Sequence, residues 1–373
     1  MGTVVCKRCQ RTSSVTPSTR KIRCHGCGDI ISVGDTGGSV SSSRVCKSTN
    51  QDPRCIVIEG KGFRSFYRKL SSNIVCPRNT PSFNFCPSVR ISDKPPRGKR
   101  AFLCGVSYKN KKFRLRGTTQ DVMNMGNLLI KKFGFPVDSI LILSEDGPYE
   151  LPTKRNILRA FEWLVKGSQK GDSFVFCFSG HGFRQLEFEG DEMDGFDEAI
   201  CPLDFESEGL ILDNDINEMI VRPLEEGVKL HAIIDSCHSG TILDLPKVFD
   251  RHRLIWNDNS PPSGSYKGTK GGTAICFSAC EDHQQAADTS AFSAEKTMAG
   301  AMAHNFVKAI TDIRNVTYLG ILNFMHEAIE EANNQYQGHC VGGGMLRMFH
   351  RKMLQDPLLS SSEPFDVHSV FKL

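Results

Sequence analysis

A chain of 373 residues, 39% hydrophobic and 24% charged, is long enough for one large core with appendages and reads as soluble and globular. No apolar run reaches the ~18 residues of a membrane span, and the opening MGTVVCKRCQ lacks the apolar core of a secretory signal, so a cytoplasmic or nuclear place is expected and a membrane is not. The net charge of +4 hides an asymmetry: residues 1–100 carry 19 Lys/Arg against 5 Asp/Glu, and the rest 27 against 37.

Eight of the fifteen cysteines fall in those first hundred residues. Cys6-x-x-Cys9 and Cys24-x-x-Cys27 are two pairs with fourteen residues between them, the format of a zinc site with four cysteine ligands. Redox dithiols are the alternative, but they sit beside a βαβ pattern that this segment lacks. Cys46, Cys55, Cys76 and Cys86 have no regular spacing and are assigned no metal. The stretch that follows the pairs is rich in Ser, Gly and Pro without a sustained period, so residues 35–98 are expected to form a basic, mostly disordered linker.

After Lys99 the pattern changes. AFLCGVS (101–107), SILILS (139–144), SFVFCFS (173–179), LHAIIDS (230–236) and TAICFSA (273–279) read as buried strands. Helices are expected over 119–133, 153–167 and 213–226, and again over 293–314 and 319–335. Strands alternating with helices predict an α/β fold with a mainly parallel central sheet covered on both faces, with ligand sites at the carboxyl ends of the strands. DRHRLIWNDNSPPSGSYKGTKGG (250–272) interrupts this order and is expected to be an exposed, protease-sensitive loop.

Two of the five runs end in sequences suited to catalysis. FVFCFSGHGF sets His181 between glycines directly after a strand, and HAIIDSCHSG sets Cys237 just after another. Cysteine protease chemistry needs a thiolate, a proton carrier and donors for the oxyanion. A histidine on a neighbouring strand end would lower the thiol pKa from its usual ~8.5. His238 is nearer in sequence but points to the opposite side of an extended segment. Cys104, Cys177 and Cys276 are expected to be packed, inert thiols. Cys237 taken alone is read equally well as one more of these; its pairing with Gly-His-Gly favours a nucleophile.

SGHG (179–182), DSCHSGT (235–241), LRGTTQDVMNM (115–125) and AFLCGVSY (101–108) together resemble the metacaspases, relatives of caspases, over roughly residues 99–373. His181 lies 56 residues before Cys237, close to the ~50 seen in caspases. The resemblance implies a caspase-like sandwich with a large catalytic region over 99–249, a processing linker over 250–272 and a small region over 273–373. It also implies a Cys237/His181 dyad, an oxyanion held by the N–H groups of Cys237 and Gly182, and cleavage after Arg or Lys. Asp121 and Asp235 match acidic positions of the family's specificity pocket, and a carboxylate pair attracts a guanidinium or ammonium. Asp235 is otherwise a strand-end residue bonding nearby backbone, and Asp121 a helix-starting carboxylate.

Between Arg184 and Arg222 there is no Lys or Arg but thirteen carboxylates. Such charges repel unless water, salt or a cation offsets them, and calcium suits flexible oxygen-lined loops. A solvated acidic loop is the plainer alternative. The resemblance implies calcium on Asp197, Asp213, Asn214 and Asp244, and self-cleavage in the loop that holds Arg251, Arg253, Lys267 and Lys270. It is to plant type I members in particular, and CKRCQRTSSVTPSTRKIRCHGC (6–27) resembles the zinc finger of plant lesion-simulating-disease proteins.

The expectation is therefore a calcium-activated, self-processing cysteine endopeptidase, monomeric, acting on protein substrates and implicated by family in cell death and stress or defence responses. Its zinc finger, over residues 1–34, would meet cell-death regulators. The competing expectation is a zinc-finger adaptor in which proteolysis is secondary. Nucleic acid is not an expected partner, because neither a recognition helix nor aromatic interleaving is present.

Overall fold

A computed structural model describes residues 91, 94–187, 195–237, 239–279, 301–338 and 356–373, together with four short strands near the N-terminus. Those strands, β1 (Gly2–Val5), β2 (Thr12–Val15), β3 (Lys21–Arg23) and β4 (Ile30–Ser32), form two antiparallel pairs, β1 with β2 and β3 with β4. They belong to a unit of their own, Met1–Phe83. Cys6, Cys9, Cys24, Cys27 and nearly all of the 35–98 segment lie outside the described residues.

The second unit is built on an eight-stranded sheet. The five expected runs appear as β5 (Lys99–Gly105), β6 (Ile140–Ser144), β7 (Ser173–Ser179), β11 (Lys229–Asp235) and β14 (Thr273–Ser278). They lie in the order β14-β11-β7-β5-β6, all parallel. Their central residues are fully buried, as continuous apolar runs covered on both faces must be. Three shorter strands, β12 (Lys247–Asp250), β13 (Ile255–Asp258) and β15 (Leu358–Ser361), extend the sheet antiparallel beyond β14. This is the expected α/β sandwich with a mainly parallel sheet.

Side chains alternate between two cores. Phe102, Phe176 and Ile234 point to one face, where α2 (Lys154–Val165) contributes Ile157, Phe161 and Leu164. Leu103, Cys177 and Ile233 point to the other, against α1 (Thr118–Phe133), α3 (Ala301–Asp312) and α4 (Tyr318–Gly338). At Gly105 a Cβ would come within 2.8 Å of the Thr118 carbonyl oxygen, so the end of β5 meets the start of α1 only through glycine.

A small antiparallel sheet stands beside the large one, made of β8 (Gly182–Leu186), β9 (Phe196–Ile200) and β10 (Ile211–Leu212) in the order β10-β9-β8. The helix expected over 213–226 is shorter: one turn at Asp213–Ile216 passes into a π-helical turn at Asn217–Val221. Pro223, which has no N–H to donate, limits it. The 250–272 segment is not wholly an exposed loop, since it contains β13 and the buried stretch Lys267–Thr269. No helix among the described residues is long and apolar enough to cross a membrane.

Candidate active site

β7 and β11 run parallel with Asp235 opposite Ser179, so the chain leaves the sheet at two adjacent points, through Gly180-His181-Gly182 and through Ser236-Cys237. The Gly180 amide donates to the Asp235 carbonyl at 3.2 Å, carrying the ladder into these loops. At Gly182 the loops touch: a Cβ there would lie 1.9 Å from the Cys237 carbonyl oxygen. Any other residue would push the histidine loop off the cysteine loop. His238 lies outside the described residues.

The thiols divide as their surroundings dictate. Cys104, Cys177, Cys201 and Cys276 are buried, and desolvation pushes each of these thiols up, far from ionisation at neutral pH. Cys237 is the partly exposed cysteine among the described ones. Nucleophilic chemistry needs an accessible sulfur, and the fold gives one at the end of β11, the strand next to the one that leads to the histidine.

His181 is buried, with Nε2 2.7 Å from the carbonyl oxygen of Phe113. A carbonyl only accepts, so Nε2 carries the hydrogen and Nδ1 is the ring's basic atom. The ring packs against Tyr108 and Phe113 at centroid distances of 4.8 and 5.8 Å. The Tyr108 hydroxyl accepts from the His181 amide at 3.0 Å and donates to the Cys201 carbonyl at 2.6 Å. Tyr108 itself has φ 49, unusual for an aromatic residue. Glu145 fixes that turn, its carboxylate accepting the amides of Ser107 and Tyr108 at 2.6 Å and of Lys109 at 2.8 Å. Sequence reasoning missed all three supports. The Phe113 carbonyl is a main-chain group that any residue offers, Glu145 lies outside every quoted motif, and Tyr108 closes the stretch AFLCGVSY without a role of its own being assigned.

Asp121 and Asp235 meet on the α1/α3 face of the sheet. Ser179 Oγ donates to Asp121 Oδ2 at 3.1 Å, and the Ala303 amide, near the start of α3, donates to Asp235 Oδ2 at 2.8 Å. Both carboxylates are buried. Burial first, then the nearby Asp235 charge, pushes the Asp121 carboxyl up to about 7 despite the Ser179 hydrogen bond.

The expected calcium ligands surround the small sheet. Asp213 is fully buried; Oδ2 accepts the Glu198 amide at 2.6 Å and Oδ1 the Asn214 amide at 2.7 Å. Asp197 Oδ2 accepts from Gln185 Nε2 at 3.2 Å. The Lys267 ammonium donates to Asn214 Oδ1 and, at 2.8 Å, to Asp244 Oδ2. Carboxylate and amide oxygens are the donors a hard divalent cation takes. Among the described residues no three carboxylate, His or Cys side chains already converge as a metal shell, and two of the expected donors are held by an ammonium.

The processing candidates differ in access. Arg253 and Lys270 are exposed and Arg251 is half-buried, whereas Lys267 is buried. Arg251 and Arg253 lie in the turn between β12 and β13, and the two lysines lie between β13 and β14.

A family model for the metacaspase, peptidase C14 domain matches residues 99–246. Over 279 residues, 73% of this chain and 74% of the relative, the sequence is 47% identical to Metacaspase-3 of Arabidopsis thaliana. Over 293 residues, 73% and 77% of the two chains, it is 46% identical to Metacaspase-1 of the same plant. A solved caspase-1 from Spodoptera frugiperda superposes with a TM-score of 0.41 at 9% identity, covering 79% of this chain and 96% of that one, a far weaker likeness. With nearly half its residues shared with plant relatives across three quarters of its length, the chain belongs to the metacaspase family and is a cysteine-type endopeptidase.

Proposed function

We propose that this endopeptidase cuts protein substrates after Arg or Lys, with Cys237 as nucleophile and His181 as proton carrier, and that calcium and self-cleavage bring it to activity. The observation that carries the reading is the pair of buried carboxylates, Asp121 and Asp235, flanking Ser179 at the strand ends beside the cysteine loop. A substrate guanidinium or ammonium seated there relieves their repulsion, and an Asp side chain adds to it.

In this reading the Cys237 thiol passes its proton to His181 Nδ1 as sulfur bonds to the scissile carbonyl carbon. The N–H groups of Cys237 and Gly182 receive the oxyanion. The C–N bond breaks as His181 returns the proton to the leaving amine, and water then frees the acyl group from sulfur. Asp197, Asp213, Asn214 and Asp244 would hold calcium, which supplies charge to offset this acidic region. Cys6, Cys9, Cys24 and Cys27 would hold zinc in a finger that meets other cell-death regulators, and the role itself would lie in cell death and stress responses. A cytoplasmic or nuclear monomer fits this picture.

The test is cleavage of peptide reporters ending in Arg, Lys or Asp by the protein and its Cys237→Ala variant, with calcium titrated against a chelator. Calcium-dependent cleavage after Arg or Lys, abolished in the variant, is the expected result. Cleavage after Asp would overturn the acidic pocket, and equal cleavage in chelator would overturn the calcium requirement.

A further inference from the structure

We infer that Lys267 is itself a residue of the cation site: its ammonium is the resident counter-ion of the acidic region, and a divalent cation enters by displacing it. The inference rests on the calcium reading above and deepens it.

Lysine is among the residues least often buried, yet the Lys267 side chain is only 7% exposed. Taking an ammonium out of water costs several kcal/mol unless close oxygens offset it. Here the offsetting atoms are Asn214 Oδ1 and Asp244 Oδ2, from two of the four residues expected to bind calcium. The surroundings hold the arrangement in place. Asp244 adopts φ 50, a left-handed conformation uncommon outside glycine. The buried Asn217 amide donates at 2.9 Å to both the Lys267 and the Leu243 carbonyls, tying the lysine's main chain to the loop that ends in Asp244. The ammonium is thus tied to the acidic region by its side chain and its backbone together.

An ammonium brings one charge and three donors, whereas calcium brings two charges and gathers six to eight oxygens. The same two oxygens do not serve both at contact distance. Exchange therefore has two consequences. The apparent affinity for calcium is the intrinsic one multiplied by the fraction of molecules in which Lys267 has left the site. When the cation wins, the Lys267 side chain is released, and it belongs to the segment between β13 and β14 that carries basic residues an enzyme of this specificity would cut. Cation binding and exposure of a cleavable lysine become one event.

The experiment uses the full chain with Cys237→Ala, which stops self-cleavage, alone and with Lys267→Met. Calcium binding is measured by titration calorimetry, and acylation of Lys267 by an amine-reactive acetylating reagent is followed by mass spectrometry with and without calcium. The methionine variant is expected to bind calcium at least about tenfold more tightly. In the chain that keeps Lys267, its labelling is expected to be slow in chelator and several-fold faster in calcium. Labelling that ignores calcium overturns the inference even if the methionine variant fails to fold. Equal calcium affinity in a folded variant also overturns it, while leaving calcium binding itself intact. Absence of binding to either protein removes the calcium reading and this inference together.

Discussion

His181 is fixed from three sides: a carbonyl on Nε2, aromatic rings on its flanks and a tyrosine hydroxyl on its own amide. Tyr108→Phe leaves the His181 amide and the Cys201 carbonyl without that hydroxyl in a buried place, at a cost of about 1–3 kcal/mol for each group left unsatisfied. The expected outcome is a lower melting temperature and a kcat reduced by about tenfold, with KM for an Arg peptide little changed, read by steady-state kinetics and thermal melts. Asp121 gives a pH signature. Its carboxyl ionises near 7 in the folded protein and near 3.8 when unfolded, so the unfolded chain gives up this proton first. Stability then falls as pH rises from about 4 to 7, by about 1.4 kcal/mol per pH unit at most, and levels off above that. Melting temperatures of Cys237→Ala with and without Asp121→Asn should therefore diverge across that range, the asparagine variant lacking the decline. The two catalytic candidates were legible in the sequence because glycines and strand ends mark them. The carbonyl of Phe113 was not, since any side chain offers the same main-chain acceptor, and Lys267 was visible only as one of four basic residues in the loop expected to be cut.

At the scale of elements, legibility followed burial. Each of the five parallel strands is covered on both faces and so reads as an unbroken apolar run, FVFCF in β7 being the plainest. β8, β9 and β15 are short and mixed in character, and β13 is largely exposed; what makes them strands is pairing with distant partners, such as Lys247 of β12 with Ser361 of β15. The small sheet escaped notice for that reason, although it frames the active site. Arg184 of β8 and Glu198 of β9 form a buried ion pair at 3.0 Å, and Thr241, just past the cysteine, donates to Glu198 at 2.5 Å. Glu198 thus links the small sheet to the loop that carries Cys237. Glu198→Gln removes the carboxylate charge from a buried ion pair while Arg184 keeps its place over the Phe196 ring, and the expected loss is up to about 3–5 kcal/mol, measurable by denaturant unfolding.

Over the whole molecule, the order of strands matters more than their order in sequence. β15 and β14 lie between β12 on one side and β11 on the other. A cut anywhere from residue 259 to 272 would divide the chain so that β11, β12 and β13 belong to one piece and β14 and β15 to the other. The second piece is then held like a tongue in a groove, hydrogen-bonded along both edges by the first. Nicking Cys237→Ala with an added protease should yield two bands under denaturing electrophoresis but a single species, of unchanged hydrodynamic size, in native gel filtration. Separation into two peaks without denaturant would contradict this strand order. Such a cut would thus loosen a strap rather than release parts, and the severed chain would keep the strand ends that carry its histidine and cysteine joined in one sheet.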